Sequence, residues 1–377
     1  MIPLNRNLGG LKRSSIRTFT NLANATPGCI KLTIGEPDAA TPETVKAAAW
    51  AALDADRTHY APNQGNADLR AAIAEYETRR GNPTKADQVL VTVGATQALF
   101  TAMLGILNPG EEVIVPTPAF PLYESIITVA GARMVPMDLT KTGFQITEEL
   151  LAAHITPNTK AIILNSPNNP TGTVLNEASL AAVKKAVLGK PIFLICDNVY
   201  QLLSYGPCPD LTLDRELKDQ TILCQSFSKP WAMTGWRVGY LACPEYVMER
   251  LLLLSAAEIA SVPTFVQDAA LAALDTDMGE MRETYRRRRD YVTSRLDAMG
   301  LRYPAPEGAF YVFADISRYG LTSEEFCTRM IREAGVAAVP GSCFGAEGYL
   351  RLSYCSSDEA LAEGLDRLEA FIRSFPL

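Results

Sequence analysis

The residues with the most chemical promise lie in the run Ser226-Phe227-Ser228-Lys229, with Gly235-Trp236-Arg237-Val238-Gly239 shortly after it. Lys229 directly follows a predicted buried strand. A lysine there loses hydration, its pKa falls, and its neutral amine becomes a nucleophile or a base. Taken alone, such a lysine is more often a solvated loop residue. Its company changes the reading. The Ser226 hydroxyl and the Arg237 guanidinium are suited to holding a phosphate next to an aldehyde condensed with the lysine.

Three further clusters fall just past predicted strand ends. In Cys196-Asp197-Asn198-Val199-Tyr200, Asp197 closes an apolar strand, where a carboxylate needs a partner. A protonated pyridine nitrogen is one such partner, and the ion pair would make the ring an electron sink. Tyr200 could donate to a phenolate oxygen of the same ring. A helix N-cap is the alternative role for Asp197. In Asn165-Ser166-Pro167-Asn168-Asn169-Pro170-Thr171-Gly172, Pro and Gly make a rigid turn. Asn169 could bridge the ring oxygen and a substrate carboxylate, or the string is only a turn. In Val93-Gly94-Ala95-Thr96, a small-residue turn opens a helix whose free N–H groups suit a phosphate, although a plain strand–helix turn reads the same way. Arg351 sits in the apolar run Tyr349-Leu350-Arg351-Leu352-Ser353. A buried arginine needs a partner, and its fork fits either an α-carboxylate or a structural salt bridge.

The elements that must position these groups are β-rich runs alternating with helical ones. Strands are predicted at Val89–Val93, Glu112–Val115, Arg133–Pro136, Ala161–Leu164, Ile192–Cys196, Thr221–Gln225 and Val238–Ala242, with helices such as Thr96–Leu107 and Asn176–Val187 between them. Continuous apolar strands alternating with helices indicate an α/β fold with a mostly parallel sheet covered on both faces. Ligands of such sheets bind at the C-terminal strand ends. Beyond Pro244 the pattern changes. It predicts an Arg-rich helix over Met278–Met299, extended runs at Ala309–Phe313 and Gly348–Ser353, and helices at Ser323–Ala334 and Asp358–Ser374, which together read as a smaller α+β domain. The expected division is an N-terminal arm with part of the small domain (1–45), a large domain (46–277) and the small domain (278–377). A chain of 377 residues exceeds what one core usually holds.

The net charge of −7 argues against nucleic acid or anionic lipid as the main partner. None of the eight cysteines forms a C-x-x-C pair, and with only two histidines no metal site is spelled out. The first residues lack the apolar core of a signal peptide, and runs such as Leu251–Leu254 are too short to span a bilayer. A cytoplasmic protein with reduced thiols is the expectation.

At these residues, and essentially from end to end, the chain resembles the class I/II aminotransferases of the fold-type I pyridoxal-phosphate enzymes. The resemblance rests on Gly35-Glu36-Pro37-Asp38, on Tyr60 with the P-N-Q-G after it, and on the N-P-T-G turn. It continues through Asp197-x-x-Tyr200, Ser226-x-x-Lys229, Arg237 and the R-L-S at Arg351. Ser226 precedes Lys229 by three residues and Arg237 follows it by eight, as in that family. Bacterial enzymes acting on aspartate, aromatic amino acids or N-acetyl-diaminopimelate are the most similar in pattern.

The resemblance implies a role for each position. Lys229 looks like the Schiff-base lysine and proton shuttle, and Asp197 is similar to the pyridine-nitrogen partner. Tyr200 and Asn169 resemble the residues that bond the ring hydroxyl. Ser226, Arg237, Ala95 and Thr96 match the phosphate cup, and Phe120 the aromatic that stacks on the ring. Tyr60 matches a tyrosine that reaches the neighbouring subunit's cofactor phosphate, which implies a homodimer with shared sites. Arg351 matches the α-carboxylate clamp and Gly35 a nearby backbone contact. The chain departs from the family's D-E-x-Y at Asn198, which implies changed support for that loop. No residue matches the second arginine that reads a side-chain carboxylate. The implied reaction moves an amino group between an L-amino acid and a 2-oxo acid by a ping-pong route. A C–S β-lyase on the same cofactor, or a non-catalytic pyridoxal-phosphate-binding regulator, are the competing expectations.

Overall fold

A computed structural model describes residues 2, 4–11 and 15–375. Its strands are β1 (Ile30–Lys31), β2 (Val89–Thr92), β3 (Glu112–Thr117), β4 (Arg133–Asp138), β5 (Thr159–Asn165), β6 (Phe193–Asp197), β7 (Thr221–Ser226), β8 (Gly239–Ala242), β9 (Tyr311–Asp315), β10 (Val336–Ala337), β11 (Val339–Pro340) and β12 (Tyr349–Ser353). Seven of them form one sheet in the order β2-β8-β7-β6-β5-β3-β4. Neighbours pair in parallel except β8, which is antiparallel to both β2 and β7. All seven expected strands are present, with ends moved by a residue or two.

The alternation along each central strand explains the apolar runs. Val113, Val115, Ile163, Ile195 and Ile222 face helices Gly94–Ile106, Leu122–Val129 and Glu245–Ile259. Ile114, Ile162, Leu164, Leu194 and Cys196 face helices Glu148–His154 and Glu177–Val187 on the other side. Both faces are buried, so both phases of the strand are apolar. Asn176, expected to begin a helix, instead caps it by accepting from the Ser179 N–H at 2.8 Å.

A second apolar core lies outside the large sheet. It joins Phe19, Ala23 and Leu32 from the N-terminal segment to Tyr285, Leu296, Phe310, Phe326, Leu365 and Phe371. Beside it, β11, β12 and β9 form an antiparallel sheet, and β1 pairs with β10 in parallel. The expected helix Ser323–Ala334 is an α-helix to Arg329 and then widens into a π turn over Met330–Ala334. The 3-10 turn Arg6–Gly10 lies against helix Leu122–Val129, with Asn7 Nδ2 donating to the Val129 carbonyl at 3.0 Å.

Candidate active site

Strand direction decides where the polar clusters meet. The parallel strands β5, β6 and β7 end at Asn165, Asp197 and Ser226 on one edge. Because β8 runs the opposite way, its first residue lies on that same edge, opposite Ser226. Arg237, just before β8, is thereby brought beside the end of β7. Its backbone takes a left-handed turn, φ 54°, to leave the preceding loop. β2 pairs with β8 in register Thr92↔Gly239, which places the following Gly94 there too.

These ends open on a cavity of about 700 Å³. Of the residues singled out from the sequence, Gly35, Ala95, Thr96, Phe120, Asn169, Asp197, Tyr200, Ser226, Lys229, Arg237 and Arg351 all line it. Tyr60 does not. It is 92% exposed and lies in a separate surface depression with His59, Ser261 and Phe265.

Asp197 is buried and pairs in register with Asn165 of β5. Its carboxylate accepts from the Tyr123 hydroxyl at 2.6 Å. The helix-cap alternative is marginal, since the Val199 N–H reaches it only at 3.4 Å. Burial pushes the carboxyl up to about 6, with the bonds from Tyr123 and Val199 pulling the other way. The Asn165 amide donates to the Asp197 carbonyl at 2.9 Å, and its oxygen receives the Asn169 N–H at 3.0 Å, locking the two strand ends together. Tyr200 shares a 2.9 Å hydrogen bond with Tyr311. Burial, then the neighbouring Tyr311, hold the Tyr200 phenol well above its ordinary pKa, so it stays an O–H group.

One corner is shaped for an anion. Helix Gly94–Ile106 begins with no side-chain cap and no acidic residue in its first turn, so its leading N–H groups are open. Gly94 has φ +69°, and a Cβ on it would stand 2.7 Å from the Arg237 Nη2. Only glycine lets the guanidinium approach the helix end this closely. Ser226 Oγ accepts from the Ser228 N–H at 3.0 Å, tightening the loop that carries Lys229.

Lys229 Nζ donates to the Gly35 carbonyl. Burial lowers its pKa to about 8; Cys355 and Glu36 oppose that shift, while Arg351 and Arg237 add to it. Arg351, buried on β12, donates to Asn169 Oδ1 at 2.8 Å and to the Thr33 carbonyl at 3.0 Å. It stacks over Tyr311 at 4.3 Å. The structural salt bridge considered for it is absent among the described residues, and its buried Nε has no partner. This guanidinium joins the two cores and keeps capacity for an anion.

The sequence reading missed several lining groups: Tyr123, Asn165, Tyr311, Thr33 and, from helix Ser15–Ala25, Arg17. Tyr123 carried one available signal, a tyrosine one turn past Phe120. Arg17 carried none, because the approach of its helix to the cavity is purely tertiary. No group of three or more metal-ligating side chains occurs among the described residues.

The profile of the family described as aminotransferase class I and II matches residues 27–368, and the chain belongs to this family. It is 41% identical over 376 residues to a probable N-acetyl-LL-diaminopimelate aminotransferase of Bacillus subtilis, covering 98% of this chain and 95% of that one. An aspartate aminotransferase of Pyrococcus abyssi is 39% identical, with 96% of each chain covered. The Thermus thermophilus aspartate aminotransferase solved with maleate superposes at a TM-score of 0.93 and 37% identity, over 98% of this chain and 100% of that one. The protein is a pyridoxal-phosphate-dependent aminotransferase acting on an amino acid and a 2-oxo acid. The relatives named here are aminotransferases, not lyases or regulators. The cavity fits the cofactor: a buried carboxylate for a ring nitrogen, an uncapped helix end against an arginine for a phosphate, and an amine of lowered pKa for an aldehyde.

Two outcomes follow from this geometry. Tyr123→Phe removes a donor that holds the Asp197 charge, so the Asp197 pKa rises. The loss is about 1–3 kcal/mol, read as a fall in kcat with unchanged fold by circular dichroism. For Lys229, a pKa lowered from 10.5 to about 8 means that the neutral amine is lost as pH falls below about 8. The rate at which cofactor-free protein takes up pyridoxal phosphate, followed by absorbance, therefore rises with pH and levels off just above 8. A rise continuing toward 10.5 would contradict the lowered value.

Proposed function

We propose that Lys229, Asp197 and Arg351, gathered around one cavity, divide the transamination between them. That gathering is the observation which carries the reading. Pyridoxal phosphate, when bound, supplies an aldehyde that takes and returns the amino group and a ring that accepts electrons. Asp197 holds its charge toward the ring nitrogen, steadied by Tyr123. Tyr200 and Asn169 would bond the ring hydroxyl oxygen, Phe120 would stack on the ring, and Ser226, Arg237, Ala95 and Thr96 would hold the phosphate. Arg351 clamps the substrate α-carboxylate with its fork, and the Gly35 backbone lies close by. Lys229 Nζ removes the proton from the substrate α-carbon and delivers it back on the other side of the transfer.

The substrate side is read from Arg17, an exposed cation lining the same cavity. It supports an acidic side chain on at least one of the two substrates, in line with the aspartate and N-acetyl-LL-diaminopimelate named for the relatives. The assembly is a homodimer in which Tyr60 reaches the partner's phosphate cup. Its 92% exposure, with Trp50 at 66%, leaves large aromatic surface for a second subunit to cover. The chain divides into a large unit at 46–277, a small unit at 278–377, and an N-terminal arm (1–45) that supplies part of the small unit; Phe19, Ala23 and Leu32 in the second apolar core support this division. The protein works in the cytoplasm, where its eight cysteines stay free thiols.

Lys229→Ala abolishes turnover and the visible absorbance of the lysine-bound cofactor; retention of both would falsify the reading. Arg17→Gln raises KM for an acidic substrate about 10-fold, the cost of one charged hydrogen bond. The same variant leaves KM for alanine nearly unchanged, and equal shifts for both substrates would remove Arg17 from specificity.

A further inference from the structure

The turn that presents Asp197 and Tyr200 is gripped from behind by a second carboxylate. Asn198 is buried at 5% exposure, and its Nδ2 donates to Asp210 Oδ2 at 2.9 Å. Gln201 Nε2 donates to the same oxygen at 2.5 Å, and Thr212 Oγ1 donates to it at 2.7 Å. The other oxygen receives the Thr212 N–H at 2.9 Å. Four donors reaching both oxygens, three on Oδ2 and the Thr212 N–H on Oδ1, call for a carboxylate; an amide at 210 would turn its NH2 toward a donor on one side or the other. The grip extends outward, since Gln201 Oε1 accepts from Arg80 and Arg80 Nη1 lies 3.5 Å from Glu77 Oε1. Inward, the Asn198 N–H donates to the Cys224 carbonyl at 3.0 Å, fixing the turn to β7.

We propose that Asn198 and Asp210 form a reciprocal pair, in which Asp210 supplies the carboxylate and the residue beside Asp197 supplies the donor. Asp210 is then a positioning residue that sets Asp197 and Tyr200 through Asn198 and Gln201. The departure from D-E-x-Y follows as a requirement. An acid at 198 would face Asp210 at hydrogen-bond distance, and two carboxylates there repel. Asn198 supplies the donor that Asp210 needs. The inference rests on the reading that Asp197 and Tyr200 hold the cofactor.

The test is a double-mutant cycle on the holoenzyme with Asn198→Asp, Asp210→Asn and both together. It reads kcat and KM for the amino acid, visible circular dichroism of the bound cofactor, and thermal unfolding. Asn198→Asp sets two carboxylates face to face and lowers kcat by about 10-fold or more through displaced groups. The cofactor's dichroism shifts with it, while KM changes less than kcat. The double variant restores a donor–acceptor pair with the roles exchanged. Asp210→Asn alone is the reference for the acceptor that Gln201 loses in both. Asn198→Asp therefore costs several-fold less in the Asp210→Asn background than in the native chain. Equal cost in both backgrounds, or an Asn198→Asp enzyme with native kcat and dichroism, overturns the proposal. Where Asn198→Asp alone does not fold, recovery of folded holoenzyme in the double variant supports it and failure to recover overturns it. Turnover retained by Lys229→Ala would strike the underlying site reading instead, so the two failures are distinguishable.

Discussion

A carboxylate at the end of a central strand, shut away from water, is the constraint around which this molecule is arranged. Asp197 has a strong donor in Tyr123 and a weak one in the Val199 N–H, and burial still drives its pKa up to about 6. An isolated buried charge is costly. The surrounding contacts hold it without cancelling it. Asn165 locks its backbone to β5, the Asn198 N–H locks the turn to β7, and Tyr123 reaches in from the helix beyond Phe120. The result is a buried acid held by neutral donors.

The second organising feature is the reversed strand β8. Were it parallel, Arg237 would emerge at the far edge of the sheet, away from Ser226. Reversal puts Arg237 beside Ser226 and the open end of helix Gly94–Ile106, where Gly94 leaves room for the guanidinium. This corner, shaped for an anion, thus draws on three segments distant in sequence. Arg351 plays the corresponding part between the two cores. It lies on β12 yet bonds Asn169 of the large sheet's edge and Thr33 of the N-terminal segment. A substrate carboxylate gripped there would be held by both parts of the molecule at once.

Much of this was legible from residue order. The inner sheet strands announced themselves as apolar runs because both their faces are buried, while the edge strand β4 is mostly exposed or half-buried and showed only by its place in the alternation. Lys229, Asp197, Ser226 and Asn169 could be named because strand ends in such sheets converge. The helix Asn176–Val187 was misread by one residue, since a capping asparagine and a first helical residue look alike in sequence. The contact of the turn Arg6–Gly10 with helix Leu122–Val129 through Asn7 left no local pattern in the sequence, because it joins segments more than a hundred residues apart. Tyr123, Arg17 and Tyr311 were passed over because their relevance depends on which way a helix or strand faces.

The sequence by itself determined the alternating architecture, the chemical types at the strand ends and the family to which the chain belongs. These depend on local periodicity and on spacing, which a linear string carries in full. The direction of β8, the donor for Asp197, the neutral partners of Arg351 in Asn169 and Thr33, and the Asn198–Asp210–Gln201 grip were decided only in three dimensions. Each joins residues whose separation along the chain says nothing about their distance in space. Burial then sets the strength of each contact, and burial belongs to the packed molecule, not to any one residue.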